Sequence, residues 1–132
     1  MLAGSCLEAR RAGAAGIHST ARDLRRLAAR PPVDIWITSC HDAADIQHAA
    51  SLGADAAIVS PILPCRANPY RPHIGWQALK RLADAAPMPV YARGGLTAGH
   101  LSDARECGAV GIVLPVVDMK TVHAGPRVAF GA

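Results

Sequence analysis

Apolar and polar positions follow two rhythms along this chain. Short, nearly unbroken apolar runs (Ile35-Trp36-Ile37, Ala56-Ala57-Ile58-Val59 and Ile112-Val113-Leu114) have the length of strands. Their continuity is what parallel strands show when both faces are covered. Between them lie amphipathic stretches. From Trp76 to Ala86, Trp76, Leu79, Leu82 and Ala83 fall on one helical face, and Lys80, Arg81 and Asp84 on the other. The pattern predicts helix at 3–13, strand at 15–19, helix at 23–30, strand at 34–40, helix at 42–52 and strand at 55–61. A long loop at 62–74 follows, then helix at 75–86, strand at 88–93, helix at 97–107 and strand at 109–117.

Three segments share one pattern: Gly13-Ala14-Ala15-Gly16-Ile17, Gly53-Ala54-Asp55-Ala56-Ala57-Ile58 and Gly108-Ala109-Val110-Gly111-Ile112. In each, a glycine suited to the left-handed position that ends a helix is followed by small residues and a packed strand. Their starts lie 40 and 55 residues apart (13 to 53, 53 to 108), which excludes a short-period solenoid and fits successive crossovers in a parallel sheet. Five strands alternating with helices give an α/β fold, either singly wound as in a barrel or doubly wound. A full (β/α)8 barrel takes about 200 residues or more, so this chain holds about five-eighths of one. The expected division is a partial barrel domain at 1–117 and an irregular or disordered tail at 118–132, where Lys120, His123, Gly125 and Pro126 show no helical period.

The chain has 132 residues and is 51% hydrophobic, yet has one Phe, two Tyr and two Trp, so its core must be aliphatic. No apolar run approaches the roughly 18 residues of a membrane span. The start, Met1-Leu2-Ala3-Gly4-Ser5-Cys6, superficially looks like a lipoprotein cleavage site, but no basic or apolar segment precedes it. The expectation is a cytoplasmic protein without a signal peptide and without a membrane partner. Cys6, Cys40, Cys65 and Cys107 lack the spacing of a zinc site or redox pair and read as reduced thiols. The net charge of +4 raises the question of nucleic acid, since twelve of the fourteen basic residues are arginine. They are scattered, however. The densest group, Arg22, Arg25, Arg26 and Arg30, has helical spacing and no interleaved aromatics, as in a solvated helix face. The positive field suits a small anionic substrate instead.

The most informative segment is Pro89-Val90-Tyr91-Ala92-Arg93-Gly94-Gly95-Leu96-Thr97, a buried strand running into a glycine pair and a helix start. Adjacent glycines let backbone N–H groups approach a phosphate, and a helix N-terminus adds its positive end. A tight turn would use the same residues. Other special residues also fall at strand ends: Ser39, His41, Ser60 and Pro61. Barrels and open α/β sheets bind ligands at that edge. Ser39 and Asp42 could instead cap the following helix, with Asp45 reinforcing its start. His41 is not needed for capping, and an imidazole at a strand end can carry protons. Asp23 is either a Mg²⁺ ligand or an N-cap. His18, His48, His73, His100 and His123 form no ligand set and are assigned surface or core roles.

In order and spacing, Gly16-Ile17-His18, Ser39-Cys40-His41, Ser60-Pro61-Ile62-Leu63-Pro64, Pro89 to Thr97 and Gly108 to Ile112 resemble the thiamine phosphate synthase and thiazole tautomerase superfamily. The resemblance covers residues 7–117. It is strongest to the variant that forms the C-terminal half of Nudix hydrolase fusions, which share Ser-Cys-His-Asp and a Gly-Trp like Gly75-Trp76. It implies a (β/α)8 barrel of which strands four to eight are present, and a transferase or isomerase acting on a small-molecule phosphate substrate. The synthase joins a pyrimidine pyrophosphate to thiazole phosphate with Mg²⁺, whereas the tautomerase shifts a proton on a thiazole carboxylate phosphate. Position by position, Asp23 would be a Mg²⁺ ligand, Ser39 a substrate contact, His41 the proton carrier, and Gly94 and Gly95 the thiazole phosphate site.

Several departures bear on activity. The second metal aspartate belongs to the absent third strand, and the pyrophosphate-gripping Thr-x-Thr-Lys is Cys65-Arg66-Ala67-Asn68, with Arg66 a partial substitute. A phosphate-holding serine is replaced near Val116, beside Pro115. The alternative function is therefore a non-catalytic half-barrel, either an interaction module or a truncated remnant. Strands 15–19 and 109–117 would then present open apolar edges that a homo-oligomer or a missing N-terminal half could cover. A flavodoxin-like open sheet is a third option, disfavoured by the helix expected at the start and the lack of a glycine-rich loop after the first strand.

Overall fold

A computed structural model describes residues 2–3, 16–65, 70, 72–115 and 126–130. The predicted strands appear as β2 (Gly16–Ser19), β3 (Ile35–Cys40), β4 (Ala56–Val59), β5 (Val90–Arg93) and β6 (Gly111–Pro115), preceded by β1 (Leu2–Ala3) and followed by β7 (Pro126–Phe130). The helices between them are α1 (Ala21–Arg26), α2 (Ala43–Leu52), α3 (Gly75–Ala85) and α4 (Leu101–Glu106), the last entered through a 3-10 turn at Ala98–His100. The strands lie in one sheet in chain order, β1 to β6 parallel and β7 antiparallel to β6. That order never reverses, so the sheet has no switch point of the doubly wound kind. The architecture is a half-barrel with helices on its outer face, and the flavodoxin-like option falls.

Two expectations at the ends need correction. Ala3 pairs with His18 in the sheet rather than opening a helix, and residues 4–15 of the expected helix at 3–13 lie outside the described residues. Residues 126–130 of the expected irregular tail form β7, while 118–125, 131 and 132 lie outside the described residues. A search for helical period misses a five-residue strand, and Pro126 occupies a first-residue position where its missing N–H is harmless. β1 and β7 also cover the edges of β2 and β6 that were expected to be open, since unpaired strand groups gain hydrogen bonds by pairing.

Which side chains meet the helices follows from strand alternation. Ile17, Trp36, Ala57, Val59, Val90, Ala92 and Ile112 turn to the outer face and pack with Leu24, Ile46, Ala49, Leu79 and Ala104. Polar atoms within this layer are mutually satisfied, with Trp36 Nε1 donating to Ser19 Oγ (3.0 Å) and Ser19 Oγ donating to Thr38 Oγ1 (2.7 Å). The alternate residues, including His18, Ser39, Ile58, Tyr91 and Arg93, are left for the concave face. As expected, Trp76, Leu79, Leu82 and Ala83 turn the apolar face of α3 to the core. Among the described residues, no helix is long and apolar enough to cross a membrane.

Local chemistry moves some helix ends. Thr20, not Asp23, caps α1, its side chain accepting the Asp23 N–H (3.1 Å). The helix stops at Arg26 instead of 30. Leu27 is extended, and Arg30 turns away to hold Asp55 (2.8 Å) and the carbonyls of Gly53, Val33 and Asp34. Arg22, Arg25 and Arg26 are exposed, as expected of a solvated face, but from that face Arg25 also grips the buried Asp45 with two 2.9 Å hydrogen bonds. Asp42 does cap α2, accepting the Asp45 N–H (2.8 Å), and Gly53 at φ 82° ends that helix.

Burial alone would raise the Asp45 pKa, but the bonds from Arg25 and the His41 N–H outweigh it and hold the carboxyl below its ordinary range. The stability this adds is complete above about pH 4 and is lost as pH falls through the lower folded value. Arg25→Met is therefore expected to lower stability at pH 7, because it leaves the buried Asp45 carboxylate without its guanidinium partner. Urea unfolding should show that deficit shrinking as pH falls towards the lowered folded value, below which the carboxyl is protonated in either chain.

Candidate functional site

Parallel strands in chain order bring the ends of β2, β3, β4 and β5 to one edge. His18, Ser39 and Arg93 meet there on the concave face. His18 Nε2 and Ser39 Oγ share a hydrogen bond of 2.8 Å, and Arg93 Nη2 donates to the same Oγ at 3.3 Å. Ser39 is only 2% exposed, so its hydroxyl is occupied by these neighbours and takes no part in capping α2. Burial first, and then the Arg93 charge, lower the His18 pKa from 6.5 to about 4, which keeps the ring neutral. The surface or core role expected for His18 is thus replaced by a place in the edge cluster. Neither His18 nor Arg93 stands out by residue type. Their shared signal is being polar at the last concave-facing position of a strand.

His41 follows β3 directly. Its Nδ1 lies 2.7 Å from the Ser60 carbonyl oxygen, which can only accept, so Nδ1 carries a proton and Nε2 of the neutral ring keeps a lone pair. The His41 N–H donates to Asp45 Oδ2 (2.9 Å), so the buried carboxylate that Arg25 holds also fixes the start of this loop. His41, Pro61, Pro72 and Ile74 line a cavity of about 260 Å³. Apolar walls with a single imidazole suit a small heterocycle.

Gly94 and Gly95 have φ of 104° and 68°, and a Cβ on either would collide with backbone of the preceding loop: Pro61 Cα at 2.7 Å, and the Pro64 and Leu63 oxygens at 2.6 and 2.7 Å. The loop is also hydrogen-bonded to the strand end, with the Ile62 N–H donating to Arg93 O and the Leu63 N–H to Gly94 O, both 3.0 Å. Turn geometry and close packing therefore suffice to require both glycines. The N–H groups of Gly95 and Leu96 have no backbone acceptor among the described residues, which leaves the turn able to meet an anion. The following helix start contributes less than expected. The Thr97 N–H is taken by His100 Nδ1 (2.9 Å), whose ring packs 5.9 Å from that of Trp76.

Asp23 is exposed at the third position of α1. Among the described residues, no group of three His, Cys, Asp or Glu side chains could hold a metal ion, so Asp23 does not by itself make a Mg²⁺ site. Arg66 lies outside the described residues. Cys40, Cys65 and Cys107 are free, and burial pushes the Cys40 thiol up to about 12.

The description thiamine monophosphate synthase belongs to the family whose model matches residues 5–115. A thiamine-phosphate synthase of Methanoculleus marisnigri is 35% identical over 107 residues, covering 78% of this chain and 51% of that protein. A putative thiamine-phosphate synthase 2 of Aquifex aeolicus is 34% identical over 74 residues, covering 56% and 40%. Thiamine phosphate pyrophosphorylase from Pyrococcus furiosus superposes with a TM-score of 0.65 at 21% identity, over 83% of this chain and 54% of that one, which shows a shared fold. The chain spans about half the length of the curated relatives it matches.

Because His18 is held neutral, its titration midpoint in the folded chain is expected near 4 and not 6.5. Between those values the unfolded chain binds a proton that the folded chain does not, so stability falls as pH drops through this window. Imidazole NMR resonances should give the midpoint. In urea unfolding, His18→Gln should flatten the slope between the two values.

Proposed function

We propose, on the premise that the chain belongs to the thiamine monophosphate synthase family, that it binds a phosphorylated thiazole at the strand-end edge and acts in thiamine biosynthesis. In this reading the phosphate meets the Gly94–Gly95 turn. The thiazole ring occupies the apolar cavity beside His41, and Nε2 of that imidazole takes or returns a proton. The observation that carries it is the coincidence of two facts. The family match runs over residues 5–115, and within that span the glycine-turn N–H groups that lack a backbone acceptor among the described residues and a tautomer-fixed His41 lie at strand ends of the same edge.

Each residue has a definable role. The Ser60 carbonyl holds His41 Nδ1–H, which orients the ring and leaves Nε2 as the base. Asp45 anchors the His41 backbone through its N–H. Ser39 and His18 line the concave face next to Arg93. Joining the thiazole to a pyrimidine pyrophosphate also requires a pyrophosphate grip and Mg²⁺. Those would come from Arg66 and from carboxylates additional to Asp23. The synthase and tautomerase branches share the thiazole phosphate site, and that site is what the described residues support. The alternative of a non-catalytic half-barrel drew on open sheet edges, and β1 and β7 now line both.

Thiazole phosphate is expected to raise the melting temperature of the chain, because a ligand that favours the folded state stabilises it. Gly95→Ala should abolish the shift by placing a Cβ against the Leu63 and Pro64 oxygens. His41→Asn should keep most of the shift while losing any proton transfer to the bound thiazole. A shift that persists undiminished in Gly95→Ala would remove the phosphate from the glycine turn.

A further inference from the structure

We infer that His18 is a ligand-binding residue whose ring tautomer is fixed by Ser39, so that its Nδ1–H donates a hydrogen bond to an acceptor atom on the heterocycle of the ligand, away from the phosphate. The inference rests on the thiazole phosphate reading above and gives the concave face a donor to complement the lone pair on His41 Nε2.

The count of protons and lone pairs at Ser39 carries the argument. Its hydroxyl has one proton to give and two lone pairs to offer. Arg93 Nη2, at 3.3 Å, can only donate to it, and His18 Nε2, at 2.8 Å, is its other partner. Ser39 is 2% exposed, so solvent does not compete for the hydroxyl proton. Were Nε2 protonated, the oxygen would receive two donors and its own buried O–H would lack an acceptor, which is the costly arrangement. With Nε2 bare, the Ser39 O–H donates to it and every group is paired. The bonds then run in one direction, from Arg93 to Ser39 to His18. This order needs only the bond from Arg93 to Ser39, whatever else the guanidinium touches. The proton of the neutral ring therefore sits on Nδ1.

That Nδ1–H is open to a ligand. Among the described residues it has no hydrogen-bond partner, and no buried side-chain nitrogen or oxygen lacks one, so Nδ1 reaches solvent. Ile17 and Ser19 are buried on the helix side of β2, which leaves the half-buried His18 on the concave face, opposite Ile37 of β3. Curvature of the sheet brings side chains of β2 and β5 to one hydroxyl there, so the ring stands in the same space as the strand-end site. With its pKa lowered to about 4, the imidazole stays an uncharged donor at pH 7. An uncharged N–H suits a ring heteroatom or a carbonyl oxygen, and a chain of donors ending on it strengthens that last bond.

Sequence-specific nitrogen-15 NMR of the full chain tests the tautomer, and calorimetric titration tests the ligand contact. At pH 7, wild type is expected to show His18 protonated on Nδ1 and bare on Nε2, and Ser39→Ala to show a mixture of tautomers. Thiazole phosphate should shift the Nδ1–H resonance and slow its exchange with water. His18→Gln keeps a polar group near the Nε2 position and has no donor at Nδ1. It should bind thiazole phosphate about three- to tenfold more weakly, the loss of one hydrogen bond, and inorganic phosphate within about twofold of wild type. A proton on Nε2 in wild type, or undiminished thiazole phosphate binding in His18→Gln, would overturn the assignment. Equal weakening of both ligands would overturn it too, since that marks a structural role, and an unchanged tautomer in Ser39→Ala would take Ser39 out of it. If His18→Gln does not fold, the wild-type Nδ1–H resonance carries the test, and no response to thiazole phosphate refutes the contact. If wild type binds neither ligand, the phosphate reading fails first and the ligand role of His18 goes with it.

Discussion

Alternation along a strand is the constraint on which the site depends. Once Ile17, Trp36, Val90 and Ala92 are committed to the helix-side core, their neighbours have no choice of face. His18, Ser39 and Arg93 are carried to the concave side by that commitment, and the parallel register brings their tips together. A one-residue slip of β3 would exchange Trp36 for Ile35 or Ile37 in the core. It would also take Ser39 away from both His18 and Arg93. The apolar core and the polar cluster are two consequences of one registration.

In the next layer outward, Asp45 has a comparable role. Its carboxylate accepts from both arms of Arg25 and from the His41 N–H, while its own N–H is capped by Asp42. Three elements of local structure thus converge on one buried group: the last turn of α1, the loop after β3 that carries His41, and the start of α2. A charge so enclosed tolerates little displacement, because each lost hydrogen bond leaves some of it unsatisfied. The imidazole of His41 is then aimed from the other side by the Ser60 carbonyl.

The Gly94–Gly95 turn shows how packing and binding share residues. Its positive φ values and the approach of Pro61, Leu63 and Pro64 to within 3 Å of any added Cβ are sufficient reasons for glycine. Those same contacts tie β5 to the loop after β4, so the N–H groups of Gly95 and Leu96 are held in place and not left to a flexible turn. A binding surface built in this way is preorganised by the fold.

Much of this was legible in one dimension. Continuous apolar runs announced β3, β4 and β6 as parallel strands, the face of α3 was visible in Trp76, Leu79, Leu82 and Ala83, and the glycine pair and His41 marked the edge. These features are local, since burial on both faces, helical period and backbone freedom each leave their mark within a few residues. What the sequence alone did not disclose depends on partners far away in the chain. Thr20 displaced Asp23 as cap, Arg25 and Arg30 found partners in Asp45 and Asp55, β7 paired with β6, and His18 and Arg93 converged on Ser39. The residues joined at Ser39 are 21 and 54 positions from it, a separation over which only the register of the sheet, and no local pattern, determines who meets whom.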